Sequence, residues 1–333
     1  MSLPSFALNS RTFVLFAASA ALLFGATGIG FQGVLLGGVP GVMPGKVVVI
    51  GAGGFVGSAV VNAARDRGFP VLPLGRGAVD LLADGSGEAL KGLLAPGDAV
   101  VFVSARAPCK DYAMFEANIR MAKNALDGMT GASLSQLLYI SSDAVYSDSD
   151  NALTETSVTA PDNLHGQMHV ARELMFSAAL SEAAPDTVFA SLRPTLIYGA
   201  DDPHNGYGPN RFRRLVQAGE PVALFGNGEE RRDHVSVLDV AELAVRMLEW
   251  RTRGPLNATT GRVASFLELA EMTIGFGDAE IGIEKLPRSG PMPHNGYRPF
   301  DPAEVRRLFP DFEFTELEAG LRAAFDATSG ENA

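Results

Sequence analysis

The stretch VVVIGAGGFVGSAVV, residues 47–61, constrains the fold more than any other part of the sequence. It opens with four consecutive β-branched residues, which are typical of a strand buried on both faces. Three glycines then recur at every third position, where they let backbone amides of a helix start approach a pyrophosphate. The stretch therefore predicts a dinucleotide-binding turn between a strand and a helix. The contacts expected from it are Gly51, Gly54, Phe55, Val56 and Gly57.

The region after Lys46 alternates between strand-like apolar runs and helical runs. Strands are expected at 47–50, 70–74, 98–104, 136–142 and 187–194, and helices at 59–68, 87–94, 111–127 and 164–182. Such alternation is typical of a parallel sheet with helices on both faces. The sequence therefore predicts an α/β fold with a doubly wound parallel sheet of Rossmann type.

The composition changes after Tyr198, where GADDPHNGYGPN is typical of a loop. Shorter elements are expected beyond it, namely helices at 210–218, 237–250 and 315–326, a strand at 221–225 and a Pro-rich tail at 285–311. We interpret this half as a smaller C-terminal substrate lobe. The predicted organisation is an apolar segment at 1–43, a dinucleotide-binding domain at 44–200, and a lobe at 201–330 that returns to the sheet near 232–250.

The end of the second predicted strand bears on the choice of dinucleotide. In NAD-binding domains an acidic residue here bonds the ribose hydroxyls, whereas this chain has Gly75 followed by Arg76. A guanidinium pairs well with a 2′-phosphate, which favours NADP and leaves NAD possible. A solvated surface arginine is the alternative. Asp80, Leu81 and Ser104 complete the expected cofactor contacts.

Charge and cysteine content exclude several classes of function. The chain has 333 residues and a formal net charge of −11. An acidic balance disfavours nucleic-acid binding, which depends on cationic surface. The single cysteine, Cys109, permits neither an intrachain disulfide nor a thiolate metal cluster, and we interpret it as a packing residue.

The N-terminal segment has no charged residue between Arg11 and Lys46. Its apolar length suffices for a membrane-spanning helix, although the glycines of its second half disfavour one. Three interpretations stay open: an inner-membrane anchor through residues 12–40, a cleaved signal peptide with a site near Ala26, and a true start at Met43. A soluble nicotinamide cofactor favours a cytoplasmic location.

Several ordered segments resemble the extended short-chain dehydrogenase/reductase superfamily, in its NAD-dependent epimerase/dehydratase branch. They are GAGGFVG (51–57), FEANIRMAKNAL (115–126), YISSDAVYS (139–147), LRPTLIYG (192–199) and RRDHVSVLDVAELA (231–244). The resemblance implies a nicotinamide cofactor, hydride transfer on a sugar-like, nucleotide-linked substrate, and a homodimer paired through the helices at 111–127 and 164–182. It also implies that Asn118 shapes the cofactor site and that Ser142 bonds the reacting oxygen.

The chain departs from the family where Tyr-Gly-x-x-Lys is expected. Residues 163–173 read NLHGQMHVARE, so His165 and His169 replace the tyrosine and the lysine. An imidazole titrates near ~6.5 and exchanges protons at neutral pH without a cationic neighbour. We expect Ser142, His165 and His169 to be catalytic, with His165 passing the proton and His169 bonding the nicotinamide ribose.

Two other interpretations of the histidine pair stay open. One is that the chain is a dinucleotide-binding regulator or scaffold with an inactive site. The other is that the two imidazoles share a metal ion, which their spacing allows. No third candidate ligand lies at a spacing typical of a metal site, so no metal is predicted.

The resemblance also indicates a site for the substrate. The expected contacts are Asp143, Asn210, Arg211, Arg232 and Arg298. Arginine forks suit a diphosphate. Ala144 lacks the acid that a 4,6-dehydratase would carry, so elimination is not expected, while epimerisation and net reduction both stay open. We interpret the remaining arginines and histidines of this region as surface, structural or solvated residues: Arg213, Arg214, Arg231, His204, His234 and His294.

Overall fold

A computed structural model describes residues 44–329 of the chain. Its strands are β1 (Val47–Ile50), β2 (Val71–Leu74), β3 (Ala99–Phe102), β4 (Gln136–Ile140), β5 (Val188–Pro194), β6 (Leu196–Tyr198), β7 (Val222–Phe225), β8 (Arg231–Ser236), β9 (Gly254–Ala258), β10 (Val263–Ser265), β11 (Ile283–Leu286) and β12 (Tyr297–Arg298). Its helices are α1 (Phe55–Asp66), α2 (Ser86–Lys91), α3 (Tyr112–Met129), α4 (Leu164–Ala183), α5 (Pro209–Gln217), α6 (Val237–Glu249), α7 (Phe266–Ile274), α8 (Ala303–Leu308) and α9 (Leu317–Ser329).

The expected anchor at residues 12–40 lies outside the described residues. Among residues 44–329, no helix is both long enough and apolar enough to cross a bilayer.

The central sheet has six parallel strands in the order β2-β1-β3-β4-β5-β9. Successive side chains of a strand point to opposite faces, so Val47 and Val49 pack into one core while Val48 and Ile50 pack into another. Helices α1 and α6 cover the first face, and α2, α3 and α4 cover the second. The predicted doubly wound sheet of Rossmann type is confirmed.

Two predicted strands end earlier than expected. The predicted strands 98–104 and 136–142 stop at Phe102 and Ile140, because the following residues leave the sheet as loops at its carboxyl edge. These loops carry Ser104 and Ser142. In a parallel sheet the carboxyl edge is where ligands bind, so the early ends place both side chains at the edge that matters for function.

The C-terminal lobe has its own core around Phe212, Leu224, Phe266 and Leu269. Strand β8 pairs antiparallel with β10 and parallel with β6 and β12, while β7 pairs with β11. Sequence patterning missed α7, α8, β6 and the strands β8 to β12. Most of these strands are only two to five residues long, which is too short for a periodic pattern to stand out, and the six residues of β8, RRDHVS, are mostly polar.

Arg213 is a correction to the sequence interpretation, because it is buried rather than a surface charge. Its guanidinium donates to the carbonyls of Gly199, Ala200 and Ala324. A buried guanidinium is tolerated when carbonyl oxygens accept its hydrogen bonds. Arg213 therefore ties α5 to the loop after β6 and to α9.

Candidate functional site

The glycine turn after β1 has the geometry of an anion cradle. Gly51 has a φ of +97°, which favours glycine, and a Cβ atom there would lie 2.8 Å from the Ser104 amide nitrogen. A Cβ atom at Gly57 would lie 2.1 Å from the Gly51 carbonyl oxygen. Gly54 is the N-cap of α1 and no side chain caps the helix, so its first amides are not taken by a capping group. The turn thus has the features that let backbone amides at a helix start hold a pyrophosphate.

A cavity of about 790 Å³ opens over this turn. It brings together most of the predicted cofactor residues, namely Gly51, Gly54, Phe55, Val56, Arg76, Asp80, Leu81 and Ser104. Arg76 is exposed at its rim, and so is Arg106, which sequence reasoning missed. Gly57 packs behind the turn and is not part of the lining.

Asn118 supports the cavity wall from behind. It is fully buried on α3, and its amide donates to the carbonyls of Arg106 and Met114 at 2.9 Å. Its Oδ1 accepts from the Arg106 amide at 2.9 Å. These bonds fix the loop that follows β3, so Asn118 shapes the site through the backbone of that loop.

The same loop connects the cavity to the histidine pair. Residues 103–107 line the cavity, and the Cys109 amide lies 3.4 Å from Nδ1 of His165. Cys109 itself is buried. His165 and Ser142 do not line this cavity themselves, so the loop is the element that the two places share.

Helix α4 places both histidines on one face. Asn163 caps the helix by accepting from the Gly166 amide at 2.9 Å. His165 and His169 lie one turn apart, with ring centroids 4.8 Å apart and planes nearly perpendicular. Burial lowers the pKa of His165, and the nearby charge of Asp143 acts in the opposite direction. The ring is therefore neutral at pH 7.

His169 lies deeper than expected for a residue that bonds a ribose. It is 5% exposed, and its Nδ1 lies 2.6 Å from the Tyr139 hydroxyl. Arg172 lies one turn further along α4 and is fully buried. Sequence reasoning missed Tyr139 and Arg172. Arg172 could have been predicted to lie near the histidines, because it follows His165 and His169 at helical spacing. Nothing in the sequence distinguishes Tyr139 from an ordinary strand residue.

Ser142 and Asp143 lie together where the chain leaves β4. The Ser142 hydroxyl lies 3.3 Å from Oδ1 of Asp143 and accepts from the Ala144 amide at 3.1 Å. Arg298 is buried against the same turn, donating to the Asp143 carbonyl at 2.9 Å and to Asp148 at 2.8 Å. Arg298 is thus engaged by the Asp143 turn, although the resemblance predicted a contact with substrate.

A second cavity of about 360 Å³ lies beside the first and shares Leu196 and Tyr207 with it. Arg232 lines it and pairs with Glu230 at 2.7 Å, while Arg288 approaches the other oxygen of Glu230 at 3.4 Å. Two guanidinium groups thus share one carboxylate, and the net positive charge suits an anion. Arg288 lies in the Pro-rich tail, where no motif pointed to it.

His234 lines the first cavity and has a buried ring nitrogen without a partner among the described residues. It is 3% exposed, and its Nδ1 lies 3.1 Å from the Arg232 carbonyl oxygen. A carbonyl only accepts, so the ring proton is on Nδ1 and Nε2 is an acceptor, one without a hydrogen-bond partner among the described residues. Burial lowers the pKa of His234 to about 4, so the ring is neutral at pH 7. The sequence could have indicated that His234 lies near the site, because His234 and Arg232 are two residues apart and share one face of a strand.

The remaining predicted substrate residues are on α5. Asn210 lines the first cavity. Its side-chain oxygen accepts from the Gly199 backbone amide at 3.1 Å, and its side-chain nitrogen donates to the Asp202 carboxylate at 2.8 Å. Arg211 is half-buried on the same helix.

Within residues 44–329, no group of three His, Cys, Asp or Glu side chains is arranged to hold a metal ion.

Solved structures of nucleotide-sugar epimerases are similar in fold. The UDP-glucose 4-epimerase of Thermotoga maritima, solved with UDP-glucose, gives a TM-score of 0.74 at 21% identity, over 86% of this chain and 100% of that one. The UDP-glucose 4-epimerase of Thermus thermophilus, solved with NAD, gives a TM-score of 0.71 at 23% identity, over 84% of this chain and 98% of that one. At these identities the likeness shows the fold alone.

Sequence comparison identifies the family. The ADP-L-glycero-D-manno-heptose-6-epimerase of Alkalilimnicola ehrlichii is 28% identical over 203 residues, which are 58% of this chain and 63% of that protein's length. Residues 47–259 match the NAD dependent epimerase/dehydratase family, a range that runs from β1 to just beyond β9 and includes the histidine pair. The chain therefore belongs to the NAD dependent epimerase/dehydratase family.

Proposed function

We propose that this chain binds a nicotinamide dinucleotide in the first cavity and catalyses hydride transfer on a nucleotide-linked sugar, as an oxidoreductase or an epimerase. The observation that carries the proposal is the glycine cradle at the mouth of a cavity that adjoins a second, cationic one. A dinucleotide and a diphosphate-linked substrate need two such neighbouring sites. Family membership and the likeness to nucleotide-sugar epimerases support the same assignment.

NADP is the dinucleotide that we propose. Gly75 offers no carboxylate for the ribose hydroxyls, and the exposed Arg76 next to it lines the cavity rim. The exposed Arg106 adds a second positive charge to the same lining. Neither arginine has to give up a buried partner in order to bind a phosphate, so a 2′-phosphate suits this rim better than a bare hydroxyl.

The sugar is the group that we expect beside His234. A neutral ring with an unpaired Nε2 can only accept a hydrogen bond from a ligand. Sugar hydroxyls are such donors. The cationic second cavity, with Arg232 and Arg288 around one carboxylate, supports a place for the diphosphate of the substrate.

A bound nicotinamide supplies the hydride acceptor. Ser142 hydrogen-bonds the reacting oxygen, and His165 exchanges its proton. The contact from the Cys109 amide to Nδ1 of His165 is long, at 3.4 Å, and therefore only weakly favours a proton on Nε2. A substrate hydroxyl that donates to Nε2 selects the other tautomer, and the ring then accepts its proton. Asp143 stabilises the imidazolium that results.

The full-length protein is the material for the test. It is loaded with NADP, or in parallel with NAD, and mixed with a pool of UDP-, GDP- and ADP-linked sugars while nicotinamide absorbance is followed. We expect an absorbance change with NADP, and none in Gly57→Ala, whose Cβ would collide with Gly51. Tight NADP binding with no absorbance change for any sugar, and no interconversion of sugars by chromatography, would contradict the proposed activity.

We also propose that the protein is a homodimer paired through α3 and α4. Large apolar side chains are exposed on both helices, namely Tyr112, Leu164 and Leu174. Sedimentation equilibrium of the full chain tests this, and a mass near 35 kDa at micromolar concentration would contradict it.

A further inference from the structure

The buried side of the histidine pair contains two polar groups that the proposed function does not use. Tyr139 lies on β4 and is 1% exposed, and Arg172 lies on α4 and is fully buried. Burying a phenol and a guanidinium is costly unless each finds partners. Tyr139 hydrogen-bonds His169, which in turn packs against His165, and the Arg172 guanidinium lies over the Tyr139 ring.

The hydrogen bond between Tyr139 and His169 indicates which nitrogen of His169 carries the proton. Burial raises the pKa of Tyr139 to about 12, so the phenol keeps its proton at neutral pH. Nδ1 of His169, at 2.6 Å, is the acceptor that the described structure offers to this hydroxyl. A phenol that donates to Nδ1 leaves the proton of the neutral ring on Nε2.

Arg172 is a buried cation whose described partners are backbone carbonyls rather than a carboxylate. Its Nε and Nη2 donate to the Asn118 carbonyl at 3.0 and 2.8 Å, and its Nη1 donates to the Ser104 carbonyl at 2.8 Å. Its Cζ lies 5.3 Å from the centroid of the Phe102 ring. These contacts hold the guanidinium in place without cancelling its charge.

The charge of Arg172 acts on the neighbouring ring. Burial, followed by the charges of His165 and Arg172, lowers the pKa of His169 well below its usual value. Arg172 lowers the pKa of Tyr139 against the larger effect of burial, while Glu173 raises it. Burial also lowers the pKa of His165, but there the nearby Asp143 carboxylate acts in the opposite direction.

We propose that Tyr139 and Arg172 are positioning residues for the histidine pair: the Tyr139 hydroxyl fixes the proton of His169 on Nε2, and the Arg172 guanidinium, whose Cζ lies 6.0 Å from the centroid of the Tyr139 ring, holds that phenol in place. His165 is then the one member of the pair that exchanges a proton with a ligand. This inference rests on the proposed function for its role in catalysis. The protonation states themselves require no ligand and can be measured without one.

The test is nitrogen NMR of the full chain labelled with ¹⁵N-histidine, followed from pH 8 to pH 5. Single histidine substitutions assign the ring signals of His165 and His169. We expect His169 to show two widely separated ring signals, with the proton on Nε2, that stay constant over this range. Any change in the His165 signals should begin at a higher pH than a change in those of His169. A proton on Nδ1 of His169, or a His169 that titrates together with His165, would overturn the proposal.

Two variants separate the roles of the positioning residues. In Tyr139→Phe the two His169 signals should converge, because Nδ1 loses its donor and both tautomers become populated. Tyr112→Phe, which removes an exposed hydroxyl from α3, should leave them unchanged. In Arg172→Met the two His169 signals should also move toward each other, because the phenol loses the guanidinium that packs over its ring. Unchanged His169 signals in Tyr139→Phe would overturn the role of the hydroxyl, even if Arg172→Met does not fold.

Activity then provides a second readout. Where the hydride transfer of the proposed function is observed, Tyr139→Phe should change the pH dependence of kcat and leave the dissociation constant of NADP unchanged. An altered cofactor affinity with an unaltered pH profile would overturn the positioning role. Because the NMR states are measured without substrate, a failure of the proposed activity leaves that part of the test intact.

Discussion

A Cβ atom at Gly166 would lie 2.1 Å from the carbonyl oxygen of Ala144. The first turn of α4 therefore touches the short turn that carries Asp143, with no room for even a methyl group. This close approach explains why Asp143 acts on the pKa of His165. The glycine inside HGQMH is thus a packing requirement of the site, since it sets how near the histidines come to Ser142 and Asp143.

Gly166→Ala should push α4 away from the Asp143 turn. We expect the free energy of unfolding to fall by roughly 1–3 kcal/mol, as for other overpacked sites, although alanine is the better helix former. Urea unfolding followed by circular dichroism measures the loss. The matched control is Gly282→Ala, where nothing lies within 4 Å of the new Cβ, and a similar loss there would remove the steric explanation.

Arg76→Ala should weaken NADP binding selectively. Losing a charge-assisted hydrogen bond costs roughly 1.5–3 kcal/mol, so the dissociation constant for NADP should rise by about 10- to 100-fold while that for NAD stays constant. Isothermal titration calorimetry of both dinucleotides measures the change. Arg65→Ala is the control, because Arg65 is exposed on α1 and does not line the cavity. Equal losses for both dinucleotides would contradict a contact with the 2′-phosphate.

Much of the fold was predictable because its long elements repeat a clear pattern. The apolar run of β1, the glycine turn and the periodicity of α3 each point to one structure. The side-chain partners were less predictable. The resemblance identified Arg298 as a substrate contact, yet its guanidinium donates to the Asp143 carbonyl and to Asp148. A motif fixes the position of a residue along the chain, whereas its partner depends on which distant segment folds beside it.

Glu173 and Arg193 form a buried ion pair behind the histidines. The Glu173 carboxylate accepts from Nε of Arg193 at 2.9 Å and from Nη2 at 2.5 Å, with both side chains less than one-tenth exposed. Glu173→Gln leaves the guanidinium uncompensated, so the free energy of unfolding should fall by about 3–5 kcal/mol. Chemical denaturation checks this. The control, Lys123→Gln, breaks the exposed pair with Asp127 and should lower the free energy of unfolding by less than about 0.5 kcal/mol. Equal losses in the two variants would contradict a stabilising role for the buried pair.

His234 should make stability depend on pH. Its folded pKa of about 4 lies below the usual value, so the unfolded chain binds the proton more readily. Stability is therefore fully retained above about pH 6.5 and falls between there and pH 4, by up to roughly 3 kcal/mol from this group. Urea midpoints at pH 7 and pH 4.5 measure the fall. His234→Phe should reduce the difference between the two, and an unchanged difference would show that other groups cause it.

The central claim is that His165 exchanges the proton during hydride transfer, and a single-turnover comparison of wild type with His165→Phe tests it most directly. With NADP and a sugar that the wild type oxidises, we predict that the rate of nicotinamide absorbance change falls by roughly 10²- to 10⁴-fold in the variant while the NADP dissociation constant stays the same. A variant that transfers hydride at the wild-type rate would contradict the account.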